Sequence, residues 1–388
     1  MLDRIFKPGG SGNGMKEPVG TMPSLKQPLL IQVVPRLKPE RCGISDHAIA
    51  LARELESAFG VRTAFIVLNS SAPPDLPFPV TCCTDAELPD ASAVLSQGHS
   101  STILVHVSGY GYSPDGAPAR LAAVLAQMKA DGRFRVATYF HELFASRAPW
   151  RSAFWHSRRQ KVAVRSIADL SDLILTNTHY HAAWLQQKPA ATPVRQLPVF
   201  STVGEARQNP RMASRTPAMV VFGLPGSRQK SYKQLSSLGN MLHALGIEQI
   251  LDIGFECDPP RVMNGVPVQA MGELPAAQIA DLLSRSAFGF MAHPGFCMAK
   301  SSIFAAYCAH GAIPVLAKSF SEEMDGIRDG IHVASPKTAT AVRASGLEAC
   351  SNAAWNWYSS HRLHVHAETY WCWLNQPESA EPASVVRQ

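Results

Sequence analysis

The stretch AFGFMAHPGFCMAKSSIFAAYCAHGAIPV, residues 287–315, is the most informative part of the chain. Its apolar start at 287–292 predicts a buried strand, which leads into a loop containing Pro294 and Gly295. The polar triplet Lys300-Ser301-Ser302 then opens a helix of small residues, which ends near Gly311 before a second strand at 313–316. A helix N-terminus presents unpaired N–H groups and the positive end of the helix dipole. Lysine and serine there predict an anion site, with phosphate as the expected ligand.

The alternation of strand and helix continues outward from this stretch. Upstream in the same half, strands are predicted at 218–222, 248–253 and 266–271, with helices at 232–245 and 276–284. In the N-terminal half, strands are predicted at 29–35, 63–68, 102–107, 135–140, 172–176 and 195–200, with helices from about 45 to 59 and at 118–130 and 158–170. Strands that alternate with helices form parallel βαβ units, so the predicted class is α/β.

A polar, weakly patterned stretch at 202–216 separates the two halves and predicts a linker. We expect two Rossmann-like, doubly wound domains that face each other across a cleft: an N-terminal domain at 29–204 and a C-terminal domain at 205–350. A helix at 351–375 is expected to cross back, and residues 1–28 and 376–388 are expected to be disordered tails. Ligands of open α/β sheets bind beyond the carboxyl ends of the strands, so the cleft is the expected site.

Charge and cysteine content narrow the classes of function. A net charge of +6 suits acidic ligands such as nucleotides, or loose contact with an anionic bilayer. The positive excess is too dispersed to predict nucleic-acid binding. The eight cysteines form no CxxC pair, which favours reduced thiols over disulfides or zinc. No uninterrupted apolar run reaches the roughly 18 residues of a membrane-spanning helix, and no GxGxxG follows either leading strand, which disfavours a dehydrogenase.

Three segments, in this order, resemble a GT-B glycosyltransferase. They are Gly43-Ile44-Ser45-Asp46-His47 after the first strand, Phe222-Gly223 with Arg228 and Lys230, and residues 300–315. The resemblance covers roughly residues 29–375, and it is greatest to the group that contains glycogen synthase, sucrose synthase and bacterial polysaccharide mannosyl- and glucosyltransferases. It implies transfer of a hexosyl group from a nucleotide diphosphate sugar, as co-substrate, to the hydroxyl of a glycan or lipid-linked acceptor. It also implies no cofactor, no metal, and a cytoplasmic setting, with peripheral contact at the inner membrane face.

The sequence departs from that group at two positions. The group carries two glutamates with seven residues between them, the second in a Glu-Ala-x-x-x-Gly pattern, whereas counting back from Gly311 gives Ala306 and Met298. Two alternatives therefore stay open beside a transferase. One is a non-catalytic subunit that binds a nucleotide or a glycan, and the other is a nucleotide-sugar epimerase. Whether transfer retains or inverts the sugar configuration is undecided.

The donor site is predicted from cations and small residues at strand ends. Arg228 and Lys230, in the Gly-rich turn at 223–230, are expected to bind the diphosphate, because fixed cations stabilise the charge that develops on a leaving group. Lys233 replaces Lys230 if the turn shifts register. Lys300, Ser301 and Ser302 are expected to add phosphate contacts, and Gly43 is expected to let the backbone approach the donor.

The catalytic and acceptor residues are predicted in the N-terminal half. His141 and Glu142 follow the strand at 135–140, where a histidine can polarise a sugar hydroxyl or take its proton. Glu142 could orient that imidazole or act as the base itself. Tyr110 and Tyr112, in a loop after the strand at 102–107, are expected to stack against the acceptor. His361, His364 and His366 have no carboxylate cluster beside them, so no metal site is predicted there.

Overall fold

A computed structural model of the protein describes residues 29–37, 42–68, 75–97, 101–145, 152–187 and 192–376. Within these ranges the chain forms two sheets covered by helices, so the predicted α/β class is confirmed. The predicted tails at 1–28 and from residue 377 onward lie outside the described residues. The chain passes from the first sheet to the second through residues 197–215, which include the predicted boundary near residue 205.

The first sheet has seven parallel strands in the order β3-β2-β1-β4-β5-β6-β7. Its strands are β1 (Leu29–Val34), β2 (Arg62–Val67), β3 (Val80–Cys82), β4 (Ser101–Val107), β5 (Phe134–Phe140), β6 (Leu173–Thr176) and β7 (Val194–Gln196). Its helices are α1 (Gly43–Phe59), α2 (Leu88–Ser96), α3 (Gly109–Tyr112), α4 (Ala119–Ala130), α5 (Ser152–Leu170) and α6 (His179–Leu185). Strand order reverses between β1 and β4, which opens a crevice at the carboxyl ends of these strands.

The second sheet has six strands in the order β10-β11-β9-β8-β12-β13, parallel except for the β10–β11 pair. Its strands are β8 (Thr216–Phe222), β9 (Gln249–Ile253), β10 (Val262–Met263), β11 (Val266–Gly272), β12 (Ser286–Met291) and β13 (Ile313–Leu316). The remaining helices are α7 (Pro225–Leu235), α8 (Gly239–Leu245), α9 (Ala276–Arg285), α10 (Ser302–Ala309), α11 (Ala339–Ser345), α12 (Leu347–Ser359) and α13 (Leu363–Leu374). Here the order reverses between β8 and β12.

The last helix packs on the first domain. In α13, Trp371 stacks on Phe59 of α1, and the Arg135 guanidinium of β5 lies 4.3 Å from the centre of the Trp373 ring. His364 Nδ1 lies 2.8 Å from Glu54 Oε1. These contacts give Trp371 and Trp373 of α13 their packing partners in the first domain. In the described part of the chain, no helix combines the length and apolar character that crossing a bilayer requires.

Several predicted elements differ from the structure. The helix expected at 351–375 is two helices, α12 and α13, and the strand expected at 195–200 is the shorter β7, which ends at Gln196. The helix expected at 232–245 is two helices, α7 and α8, and α7 already begins at Pro225, inside the predicted Gly-rich turn. The loop carrying Tyr110 and Tyr112 is the helical turn α3. The sequence analysis did not recognise the start of α7. Pro225 is favourable at the first helical position, but the glycine and serines that follow it are typical of a turn.

Candidate active site

A salt bridge joins the loops at the carboxyl ends of the two sheets. Lys300 Nζ lies 3.1 Å from Glu142 Oε1, and both side chains remain partly exposed. Glu142 comes shortly after β5, and Lys300 ends the short 3-10 turn Gly295–Lys300 after β12. One residue predicted to be catalytic and one predicted to bind the donor are therefore in contact across the cleft.

Lys230 and Lys300 act electrostatically on the same neighbour, His293. This histidine follows β12, and its pKa is lowered by burial first and then by the charges of Lys230 and Lys300. The nearby Cys297 thiol has its pKa raised by burial, while Lys300 and Lys230 oppose that change and Glu142 adds to it. The two lysines thus create one region of positive potential at this end of the second sheet.

A cavity of about 120 Å³ lies in this region, at the reversal point between β8 and β12. Its lining includes Ser227, Lys230, His293 and Ile303. Gly223, with φ +131°, lets the loop after β8 approach α10, since a Cβ there would lie 2.8 Å from Ile303 Cδ1. A polar recess with a lysine on its wall, beside the first turn of α7, suits an anionic group such as a phosphate.

Arg228 is not part of this recess, which corrects the sequence prediction. Its side chain is 1% exposed and donates from Nε and Nη2 to the two oxygens of Asp252, at 3.2 and 2.9 Å. Nη1 donates to the Phe255 carbonyl oxygen at 2.9 Å. Tyr232 also donates to Asp252, at 2.7 Å. All three guanidinium nitrogens are engaged inside the second domain, so Arg228 is a structural residue.

Ser301 and Ser302 stand at the start of α10. The Ser301 hydroxyl oxygen is the helix cap and accepts from the Phe304 N–H at 3.2 Å, and its side chain is buried. No described residue accepts a hydrogen bond from its O–H. Ser302 is half-buried in the first turn of the helix. A direct phosphate contact by either serine stays a prediction.

His141 lies in a buried group of rings at the end of β5. Its Nε2 is 3.0 Å from His106 Nδ1, and its ring packs against His47 and Tyr139. Its backbone is fixed on both sides: the N–H donates to Val107 at 2.9 Å, and the carbonyl accepts from Asn177 Nδ2 at 3.0 Å. The histidine is thus held rigidly beside Glu142.

The histidines of this group are uncharged at neutral pH. Burial, and then the neighbouring His106 and His366, hold the pKa of His141 well below its ordinary value. Burial alone lowers the pKa of His106 to about 3. Burial also lowers the pKa of His47, with smaller contributions from His141, His106 and His366. A neutral imidazole at 141 can serve as a hydrogen-bond acceptor or a base.

The two predicted acceptor tyrosines have different placements. The Tyr112 hydroxyl is directed at the Val33 and His106 carbonyl oxygens, at 3.2 and 3.0 Å, and burial raises its pKa. This ring supports the sheet and does not offer a stacking surface, which corrects the prediction for Tyr112. Tyr110 is 48% exposed, and its oxygen accepts from Gln160 Nε2 at 3.1 Å.

Gly43 is the first residue of α1, and a Cβ at this position would meet no atom of the described residues within 4 Å. Packing within the described part of the chain therefore does not require a glycine here. Open space beside the backbone leaves room for a ligand to approach. A contact between Gly43 and the donor stays a prediction.

Sequence reasoning missed two histidines near Lys300. The pKa of His181, in α6, is lowered to about 4 by burial and then by Lys300, and its Nδ1 is buried without a partner among the described residues. His293 Nδ1 is also buried without a partner among the described residues. His181 follows the parallel strand β6, and His293 follows the parallel strand β12. This position after a strand was the sequence signal that could have identified each histidine.

The two positions where the resembling group carries glutamates are buried here. Met298 and Ala306 are each 1% exposed. Beside Ala306, the Tyr307 hydroxyl donates toward the Val220 and Phe290 carbonyl oxygens, at 3.1 and 2.9 Å, which fixes α10 against the sheet. Any acidic contact to the donor must therefore come from another residue.

Solved structures match this architecture, whereas no protein-family model and no curated protein does. An alpha-glucosyltransferase in complex with UDP and a mismatch-containing DNA 13-mer aligns over 90% of this chain and 99% of its own, with a TM-score of 0.57 and 12% identity. The OtsA apo structure aligns over 90% of this chain and 100% of its own, with a TM-score of 0.54 and 9% identity. The S. aureus MnaA–UDP structure aligns over 92% of this chain and 100% of its own, with a TM-score of 0.52 and 10% identity.

These similarities establish the fold. The chain has the GT-B architecture of two Rossmann-like domains, which confirms the predicted resemblance at the level of the fold. Membership of the glycogen-synthase-like group stays a prediction.

Proposed function

We propose that the protein is a glycosyltransferase that moves a hexosyl group from a nucleotide diphosphate sugar to an acceptor hydroxyl. Three observations carry this proposal: Lys230 lines the cavity between β8 and β12, Lys230 and Lys300 both lower the pKa of His293 in that lining, and Glu142 of the other domain pairs with Lys300. The UDP in two of the similar structures supports a nucleotide donor.

In this proposal the diphosphate binds on the second domain, near Lys230 and Lys300. The bond between the sugar carbon and the diphosphate oxygen breaks, and the acceptor oxygen forms the new bond to that carbon. The acceptor proton passes to the diphosphate or to a base in the cleft. The lysines stabilise the charge left on the diphosphate, and this role requires no metal or other cofactor.

The first domain supplies the contacts to the sugar and the acceptor. His141 is assigned to a sugar hydroxyl, Glu142 to the acceptor side as orienting group or base, and Tyr110 to the acceptor. The Lys300–Glu142 pair holds the cleft together until a diphosphate takes over Lys300. The proposed setting is polysaccharide or glycolipid synthesis at the cytoplasmic face of a membrane, which the net charge of +6 favours.

A non-catalytic nucleotide-binding subunit is the second candidate. The burial of Met298 and Ala306, where the resembling group has glutamates, favours it. Such a protein would use the same lysines for binding and would lack turnover.

A panel of nucleotide diphosphate sugars tests both candidates. We expect one donor to raise the Tm selectively, because a ligand bound only to the folded state stabilises it. With an acceptor mixture, release of the nucleotide diphosphate should follow. Selective binding without release supports the subunit, an isomerised donor indicates an epimerase, and absence of any binding refutes both candidates.

A further inference from the structure

We propose that Gln32 and His106 are positioning residues that hold His141 in the tautomer protonated at Nε2, so that Nδ1 offers its lone pair to a sugar hydroxyl. The inference deepens the proposed function and rests on it, because His141 is there assigned to the sugar. It assigns a role to a buried polar chain that begins in the centre of the first sheet.

The chain starts at Gln32 in β1, whose side chain is fully buried. Its amide Nε2 donates to the Ala48 carbonyl oxygen at 3.3 Å. A carbonyl oxygen only accepts, so this bond fixes which end of the amide is the nitrogen. The amide oxygen, Oε1, therefore faces the other way, toward His106 in β4.

His106 lies between two partners that together fix its tautomer. Its Nε2 is 2.7 Å from Gln32 Oε1, which can only accept, so Nε2 carries the proton. The pKa of about 3 keeps this imidazole neutral. Its Nδ1 is then unprotonated and accepts from His141 Nε2 at 3.0 Å.

The two histidine rings are arranged for one linear hydrogen bond. Their planes differ by 24° and their centroids are 5.3 Å apart. That separation is close to the 3.0 Å nitrogen–nitrogen distance plus the two ring radii, so the nitrogens point directly at each other. Of the two nitrogens of a neutral His141, Nε2 is thus the donor and Nδ1 the acceptor.

A metal ion bound by these histidines is the competing interpretation. Ring nitrogens of His47, His106 and His141 lie within 4.8 Å of one another. Metal ligation requires the lone pairs to converge on a common point, and His106 and His141 instead face each other along one line. The geometry therefore favours the hydrogen-bonded chain.

Nitrogen NMR of protein labelled with ¹⁵N in histidine tests the tautomers directly. Long-range ¹H–¹⁵N correlations distinguish Nδ1–H from Nε2–H imidazoles, and the His106→Asn and His141→Asn variants assign the two signals. We expect both rings as neutral Nε2–H tautomers at pH 7. An Nδ1–H or charged His141 would overturn the proposal, and so would a stoichiometric metal ion in the purified protein that is lost in His47→Asn.

Two substitutions at 106 test the consequence for activity. His106→Asn retains an oxygen that can accept from His141, whereas His106→Leu does not. We expect His106→Leu to lower kcat by at least about tenfold more than His106→Asn, with the KM for the donor changed far less. Equal losses in the two variants would reduce His106 to a packing role.

The proposed function and the positioning role of Gln32 and His106 can be refuted separately. Predicted tautomers in a chain that turns over no nucleotide sugar would refute the proposed function and leave the tautomer assignment intact. Unexpected tautomers in an active enzyme would refute the positioning role alone. His243→Asn, an exposed change on α8, is the control for the labelling and for activity.

Discussion

Arg228 and Lys230 are two positions apart on α7 and lie in different surroundings. Residues two apart on an α-helix project from nearly opposite sides. Arg228 therefore enters the core and pairs with Asp252, while Lys230 lies on the wall of the cavity beside β12. Because Asp252 neutralises Arg228 in the core, the charge on α7 that is available to a ligand is that of Lys230.

Arg228→Met should destabilise the second domain, because it leaves the Asp252 carboxylate buried without its partner. Losses of about 3–5 kcal/mol are typical of such changes. Urea unfolding measures the effect. Arg285→Met is the matched control, since its partner Asp281 is exposed, and it should cost no more than about 1 kcal/mol. Equal effects of the two substitutions would contradict the structural role of Arg228.

Glu142→Gln should separate binding from turnover. The carboxylate occupies Lys300 in the structure, so its removal frees the lysine for a phosphate. We expect nucleotide diphosphate affinity to rise by about two- to fivefold, in keeping with a partly exposed ion pair, while kcat falls. Calorimetry and steady-state kinetics measure the two effects. Weaker nucleotide binding in this variant would place the diphosphate elsewhere.

For single residues, the sequence predicted the residue types of the candidate site better than the directions in which their side chains point. His141 and Glu142 were predicted because polar side chains directly after an apolar strand lie at the carboxyl edge of the sheet, and Lys300 was predicted because it opens a helix that follows a strand. Arg228 and Tyr112 were assigned wrongly because each was placed in an open loop, whereas each lies in a helical segment that turns its side chain inward.

The start of α10 shows how one element serves both the fold and the site. Ser301 caps the helix through the Phe304 N–H, and Lys300 precedes it at the cleft. The capping bond sets where the chain leaves the 3-10 turn, and so where the lysine emerges.

Ser301→Ala should therefore cost about 1 kcal/mol of unfolding free energy, the usual value for a lost cap. It should also weaken nucleotide binding, because Lys300 loses its fixed position. Ser302→Ala is the control for the unfolding measurement alone, since that side chain provides no cap but is itself a predicted donor contact. Urea unfolding and calorimetry on both variants measure the effects, and a Ser301→Ala protein as stable as Ser302→Ala would exclude the capping role.

Most elements were predictable, because buried parallel strands are continuous runs of β-branched and aliphatic residues. The strands β1, β4, β5 and β12 were predicted within one residue at each end. The short strands β3 and β10 and the start of α7 were missed. Two or three residues carry too little periodicity, and Gly226 with two nearby serines has the composition of a turn.

For the molecule as a whole, buried neutral histidines make stability depend on pH. Burial lowers the pKa of His106 and His361 to about 3 and that of His366 to about 4, with a smaller effect of His366 on His361. The unfolded chain binds protons near the ordinary histidine pKa of about 6.5, so it holds more protons than the folded chain below that pH. This part of the stability is complete above about pH 6.5 and is lost as the pH falls toward 4.

We expect His361→Gln, outside the candidate site, to reduce the slope of unfolding free energy against pH between pH 4 and 6 by about 1.4 kcal/mol per unit. Urea unfolding at several pH values provides the slope. His243→Gln, at an exposed histidine on α8, is the control for replacing a histidine by glutamine. A slope unaffected by His361→Gln would show that this histidine is protonated in the folded protein.

Calorimetric titration measures whether Lys230 and Lys300 hold a nucleotide diphosphate between the two domains. The wild type, Lys230→Ala, Lys300→Ala and the control Lys233→Ala, an exposed lysine further along α7, are each titrated with the nucleotide diphosphate of the best donor. We predict that each cleft substitution weakens binding by about ten- to a hundredfold, as expected for a lost charge-assisted contact, and that Lys233→Ala binds like the wild type. Unchanged affinity in both cleft variants would show that Lys230 and Lys300 do not bind the nucleotide diphosphate.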